Sequence, residues 1–361
     1  MTRREDTTDD SAPSLSVVIP SYRRLDRLAR LIDLYRAQGA DQIVVVLDGP
    51  HDGWREALGA RVQEPGLSVV ELPENRGLAL ARVAGLEAST GDVILAVDDD
   101  VSPLPGLVEA HRRFHLGGGD RVLLGYMPVA LPPRRRRDAA PTYIYARDYE
   151  IQAAVWRRSG SELILRSLWG GNFSLPRDLY VRAERSKPSQ RLEYNEDLDL
   201  GWRLADLGAE GVFDDSARAE HHHQRGLRGY RRECLLRGEA IADLEQRWGE
   251  RPAQLNPLVV IPPGYNRVFA FVQRRIARRD TPGVVDHLCD TVYRTSGLLR
   301  IWSVQDGVAR LLRRALAMRG YRLARSSPRS VSRDAPAHSR NMHLIGRLRV
   351  NAANDRRHPP H

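Results

Sequence analysis

Residues 91–101 read GDVILAVDDDV, an apolar run that ends in three consecutive carboxylates, Asp98, Asp99 and Asp100. The run Val93 to Val97 is short, rich in β-branched side chains and bounded by Gly91 and Asp92, the pattern of a buried strand rather than a surface helix. Three adjacent acids repel one another, so either water screens them at an exposed turn or a cation holds them. Their place at the carboxyl end of a strand favours the second reading, because open α/β sheets bind ligands beyond that end. Carboxylate oxygens suit Mg²⁺ or Mn²⁺, and such an ion would in turn hold phosphate oxygens.

Upstream, strand and helix alternate. LSVVIP, ending at Pro20, reads as a buried strand, followed by a helix with Leu25, Leu28, Leu31, Ile32 and Tyr35 on one face and Gly39 just past its end. DQIVVVLDGP gives a second strand ending in Asp48, residues 67–72 a third, and Leu78 to Ala88 a helix that leads into the acid-tipped strand. This alternation calls for a parallel sheet with crossover helices, as in a nucleotide-binding half-domain. No GxGxxG or GxxxxGK[ST] stands at any strand-to-helix turn, which argues against a dinucleotide or a P-loop. Phosphates bound here would need a metal.

Downstream, residues 122–131 read as another strand and LPPRRRRDAAPTY, 131–143, as a loop, with a helical stretch around Ile151 to Arg158. In LWGGNFSLP the adjacent Gly170 and Gly171 let a backbone approach a ligand beside Trp169 and Asn172, or else make a tight turn under a core tryptophan. EYNEDLDLGWRLADL, 193–207, is mostly helical, with Glu196 and Asp197 in its first turn. A cap needs one acid, yet Glu193, Glu196, Asp197 and Asp199 cluster there. In an extended segment His221 and His223 face one way and His222 the other, so the run offers one or two metal ligands or forms a solvated loop. Beyond Leu227 the chain turns to arginine-rich helices. In one of them Leu311, Leu312, Ala315 and Leu316 lie opposite Arg310, Arg313 and Arg314, a face for an acidic membrane or for the protein's own core.

The 361 residues suggest two domains, and the formal charge is +10. Lys187 is the one lysine beside many arginines, which looks like a GC-rich coding sequence and weakens charge as a sign of a nucleic-acid partner. Two cysteines, Cys234 and Cys289, give no CxxC pairing and no disulfide framework. The polar N-terminus and the lack of a long apolar run lead us to expect a cytoplasmic protein, with peripheral membrane contact through the basic helices as an option. We read 1–13 as a disordered leader, 14–225 as the α/β domain, 226–325 as a helical region and 326–361 as a disordered tail.

Together, SVVIPSYRR, VVVLDG, ENRGLALARVAGL, VDDD, WGGNFSLPRDL, NEDLDLGWRL and the late histidines resemble the family 2 glycosyltransferases of GT-A fold over about residues 14–225. The resemblance implies a nucleotide pocket at Pro20, Ser21 and Tyr22, with Asp48 toward base or ribose and Arg82 near the diphosphate. It puts Asp98 and Asp99 on the nucleotide and Asp98, Asp100 and His221 on the metal, with His223 as the alternative histidine. Glu196 and Asp197 become the acceptor-side pair, Asp197 the general base, and Trp169, Gly170, Gly171, Asn172 and Trp202 fall on the donor-sugar and acceptor side. The chain departs from the family pattern at Val83, where asparagine is common, and at SKPSQRLEY, which replaces a G-G-F-D segment. The expectation is an inverting transferase using Mn²⁺ or Mg²⁺ that moves a sugar, by family habit from a UDP-sugar, to the hydroxyl of a polysaccharide, lipid carrier or small metabolite. Two alternatives are a sugar nucleotidyltransferase, disfavoured because SYRRLDR lacks a glycine-rich phosphate loop, and a non-catalytic basic module that binds nucleic acid or a membrane surface.

Overall fold

A computed structural model describes residues 12–258 and 267–326. The tail reading and nearly all of the leader reading lie outside these residues. In chain order the elements are β1 Leu15–Ser21, α1 Leu25–Ala37, β2 Gln42–Leu47, α2 Trp54–Leu58, β3 Leu67–Glu71, α3 Leu78–Ala88, β4 Val93–Val97, β5 Val101–Pro103, α4 Leu107–Phe114 and β6 Arg121–Tyr126. They continue with α5 Ala140–Trp156, α6 Ser161–Arg166, β7 Asn172–Pro176, α7 Arg177–Ser186, α8 Glu196–Asp206, β8 Glu210–His221, α9 Leu227–Trp248, α10 Arg267–Ala277, α11 Val284–Leu298 and α12 Trp302–Ser326.

The strands form one sheet in the order β3-β2-β1-β4-β7-β6-β8-β5. Its β3-β2-β1-β4 half is parallel, as the alternation of strand and helix requires, and every residue of β1 and β4 is buried. Parallel pairing brings the carboxyl ends of β1, β2 and β4 to one edge. β7 then runs antiparallel to β4 with Asn172 opposite Val97, so the glycines before β7 arrive at that same edge. β8 pairs with β5 with His221 opposite Val101, which sets His221 beside Asp100. The sheet register thus assembles one site from segments more than a hundred residues apart.

Two sequence expectations change here. The strand expected over 122–131 stops at Tyr126, because Pro128 has no N–H to continue the ladder. The stretch expected to be a loop to 143 is helical from Ala140, with Pro141 in the first turn, where its missing N–H costs nothing. Ala140 and Ile144 then join a second core with Leu227, Tyr230, Ile276 and Leu316.

That second core also corrects the membrane reading of α12. Leu311, Leu312, Ala315 and Leu316 are buried within the protein. The helices α9 and α12 come together at two glycines: a Cβ on Gly238 would lie 2.0 Å from the Ala317 carbonyl oxygen, and one on Gly320 2.1 Å from that of Leu235. Among the described residues no helix is long and apolar enough to cross a membrane.

Candidate active site

The converging strand ends, the loop before β7, the start of α8 and the end of β8 line an open cavity of about 760 Å³. Pro20, Ser21, Tyr22 and Asp48 line it together with Asp98, Asp99 and Asp100. Trp169, Gly170, Glu196, Asp197, His221 and His223 line it as well.

The acid cluster is internally wired. Asp99 accepts hydrogen bonds from the Ser21 hydroxyl at 2.8 Å and from Arg24 Nη1 at 2.7 Å. Arg24 Nη1 also donates to Asp100 Oδ2 at 2.9 Å, while Asp100 Oδ1 lies 3.2 Å from His221 Nε2. Burial raises the Asp99 pKa against the pull of Arg24. Burial also acts to raise Asp100, but the His221 hydrogen bond and the charges of His221 and Arg24 outweigh it and hold that carboxyl below the usual range. Of the remaining histidines, His222 turns away to Ser102 Oγ at 3.0 Å, and His223 is kept neutral, lowered to about 3 by burial and by His221 and Arg225.

The expected metal set is only partly gathered. Asp100 and His221 are neighbours, whereas Asp98 Oδ1 is turned to Arg82 Nη2 at 2.8 Å. Among the described residues no group of three or more His, Cys, Asp or Glu forms a metal cage, and the cation facing Asp99 and Asp100 is the Arg24 guanidinium. Two carboxylates and an imidazole nonetheless suit Mn²⁺ or Mg²⁺ in donor type, and the buried His221 Nδ1 has no partner that would commit the ring to another tautomer.

Arg82 is buried and ties two parts of the site together, donating to Asp98 and, from Nη1 at 3.3 Å, to Glu196 Oε1. It does not line the cavity, so the sequence expectation of a diphosphate contact gives way to a bracing role. Gly170 and Gly171 serve the same brace. A Cβ on Gly170 would lie 2.7 Å from Arg82 Nη2, and Gly171, at φ +105°, would place one 2.9 Å from Asp98 Oδ2. The close approach these glycines permit is to side chains of this chain.

At the start of α8, Asp197 Oδ2 accepts from the Gly170 N–H at 2.9 Å and Oδ1 from its own helix at Leu198 N, 2.8 Å. Each oxygen keeps a lone pair. Burial raises the pKa values of both Asp197 and Glu196, and the Asp197 charge pushes Glu196 further, against the opposing Arg82. Asp48 lines the cavity but also fastens the loop before α3, accepting from Arg76 N at 2.6 Å, Gly77 N at 3.0 Å and Asn75 Nδ2 at 2.9 Å.

Two expected site residues belong to the interior. Asn172 is fully buried, donating to the Ala217 carbonyl at 3.0 Å and meeting His111 Nε2 at 3.0 Å, so the sheet uses its amide. Trp202 packs against Leu192, Leu198 and Leu244 and donates to the Arg166 carbonyl at 3.1 Å. Their polar atoms satisfy the packing of α8 and β7, a role that spacing alone does not separate from ligand contact. Asp199 is likewise structural, accepting from Arg247 Nε at 2.5 Å and Trp248 Nε1 at 2.8 Å.

Sequence reasoning missed other cavity residues. Arg24 sits in SYRR, read only as the approach to α1. Tyr145 of α5 stacks on Trp169 at 5.6 Å and on His223 at 4.2 Å between ring centroids, a π-platform hidden in a helix whose start was misplaced. Tyr194, Arg225, Arg232 and Arg237 also line the cavity. The change to arginine-rich sequence just after the histidines was the available signal.

Residues 16–174 match the family model described as glycosyl transferase family 2. The chain is 26% identical over 271 residues to a pre-mycofactocin glycosyltransferase of Mycobacterium tuberculosis, covering 69% of this chain and 51% of that one. It is 30% identical over 177 residues to an undecaprenyl-phosphate 4-deoxy-4-formamido-L-arabinose transferase of Pseudomonas paraeruginosa, covering 42% of this chain and 49% of the relative. The chain thus spans about half the length of the curated relatives it matches. Its fold is similar to that of a mannosyltransferase from Pyrobaculum calidifontis solved with GDP-mannose and Mn²⁺, at a TM-score of 0.54 and 17% identity, over 86% of this chain and 87% of that one. The fold is GT-A, and through residues 16–174 the chain belongs to glycosyl transferase family 2.

Proposed function

We propose that the protein transfers a sugar from a nucleoside diphosphate donor, a UDP-sugar by family habit, to an acceptor hydroxyl with inversion at the anomeric carbon. The observation that carries this reading is the single cavity lined both by the strand-end acids Asp48, Asp98, Asp99 and Asp100 and by the buried pair Glu196 and Asp197. In the transfer, the acceptor oxygen bonds to the anomeric carbon as the bond from that carbon to the phosphate oxygen breaks. The bonding pair leaves with the nucleoside diphosphate, and the acceptor proton goes to Asp197. A carboxylate raised by burial holds that proton better than one in water, which suits a general base contributing about 10²–10⁴-fold. The Gly170 N–H and the helix start fix its two oxygens.

Asp98, Asp100 and His221 are the residues that would hold a divalent cation, after Arg24 withdraws from Asp100. A bound cation supplies charge neutralisation for the leaving diphosphate. The mannosyltransferase of similar fold, solved with Mn²⁺ and a nucleotide sugar, supports this part of the reading. Arg82 keeps Asp98 and Glu196 in register, and Trp169 with Tyr145 offers a flat face to a sugar ring.

The test is release of nucleoside diphosphate from a panel of UDP-, GDP- and dTDP-sugars by the wild type and by Asp197→Asn. The reading expects one donor class to turn over. It expects the variant to lose at least a hundredfold in kcat while nucleotide affinity stays within about threefold. A variant that turns over normally, or one that has lost nucleotide binding, removes Asp197 from the role of base.

A further inference from the structure

The wall of the cavity contributed by α9 and the segment before it has the opposite charge to the strand ends. Arg225, Arg232 and Arg237 line the cavity there against one carboxylate on the same wall, Glu233. Glu233 is shared: its Oε2 lies 3.6 Å from Arg225 Nε, and its Oε1 lies 3.5 Å from the Tyr194 hydroxyl that donates to it. Arg237 is half-buried, and its described contact is the face of Tyr194 at 4.9 Å. Arg232 is exposed to the cavity and forms no ion pair among the described residues. By contrast Arg191, also at the cavity, is engaged by Glu193 at 2.7 Å and the Asn75 carbonyl at 2.7 Å.

Two guanidiniums beyond what Glu233 balances are unusual on a partly desolvated wall, because a charge removed from water is normally paired. The guanidinium fork matches the oxygens of a phosphate, and an anion seated there would supply the missing counter-charge. The strand-end acids would repel the same anion, so it is confined to the α9 side. Tyr194, on which Arg237 stacks, is three residues before Asp197, which links this wall to the acceptor end of the site.

We infer that Arg232 and Arg237, with Arg225, form a subsite for a phosphate monoester carried by the acceptor, distinct from the place of the donor diphosphate. This rests on the transferase reading and names the acceptor class for the same cavity. It also gives the helical region a task, since α9 supplies two of the three cations.

The test is calorimetric titration of dimethylallyl monophosphate, with the uncharged alcohol and inorganic phosphate as comparison arms, into the full chain saturated with UDP and Mn²⁺. The same titrations are run on Arg232→Gln and Arg237→Gln. We expect the monophosphate to bind in the presence of UDP and each variant to weaken it at least tenfold, with UDP affinity unchanged. Arg232 is exposed, so its variant keeps the fold even if Arg237→Gln does not. Inorganic phosphate binding as well as the ester supports a site that reads the phosphoryl group alone, whereas preference for the ester supports an organic or lipid carrier. Monophosphate binding that UDP abolishes, binding indifferent to both variants, or equal binding of the alcohol overturns the inference. Failure of UDP itself to bind is read separately, as failure of the transferase reading, and the anion titration is then repeated without nucleotide.

Discussion

Arg82 shows how one side chain organises the chemistry. It is 2% exposed and serves two carboxylates on different elements, Asp98 after β4 and Glu196 at the start of α8. Removing one partner of a buried charge pair is far costlier than never having had the pair, because the other charge is stranded. Arg82→Gln is therefore expected to lower unfolding stability by about 3 kcal/mol, measured by urea denaturation. An unchanged midpoint would mean that water already solvates both acids. The acids themselves predict a pH dependence. Burial puts the Asp197 and Glu196 pKa values above their ordinary positions, and the base must be deprotonated to accept a proton. The rate kcat/KM should then fall as pH drops, with the acid limb above the ordinary aspartate value of about 4. A profile flat down to that value would contradict a buried base. Of these residues, Asp98, Asp100, Glu196, Asp197 and His221 were legible as candidates because charge at a strand end or helix start is visible in one dimension. The bracing role of Arg82 was not, since it depends on Gly170 and Gly171 folding back over its guanidinium.

The elements that could be read were those whose burial is complete or one-sided. The strands β1 to β4 are apolar runs cut off by Pro, Gly or Asp, and α1 buries Leu28, Leu31, Ile32 and Tyr35 at helical spacing. α11 went unread because its pattern is inverted: Asp286 is buried on an ion pair with Arg319 at 3.0 Å, while Val284 and Leu288 are exposed. The short helices α2 and α6 are fixed by tertiary contacts rather than by periodicity. For α12, hydrophobic spacing revealed an amphipathic helix but not what its face would meet. The close crossing of α9 and α12 decides that, and it can be tested at Gly238. Gly238→Ala forces a Cβ against the Ala317 carbonyl and should destabilise by about 1–3 kcal/mol. Gly229→Ala, one helix face away with no atom closer than 3.7 Å, should be neutral or stabilise by up to about 1 kcal/mol. Equal effects of the two substitutions in thermal or urea melts would refute the packing argument.

At the scale of the whole molecule, sheet topology does the assembly. A parallel half delivers three strand ends, one antiparallel return delivers the glycines, and β8 delivers a histidine to the same edge. The helical region is joined to this edge through α5 and α9, so its arginines face the carboxylates across one cavity. Net charge alone, +10, could not reveal that arrangement, because most of the arginines make ion pairs or lie on the surface. The central claim is that the strand-end acids bind a nucleoside diphosphate through a divalent cation. Its most direct test is calorimetric titration of UDP, GDP and dTDP into the protein with and without Mn²⁺, beside an Asp98→Ala, Asp100→Ala double variant. The account predicts Mn²⁺-dependent binding of one nucleotide that the double variant loses. Binding that needs no cation, or that survives loss of both carboxylates, would contradict it.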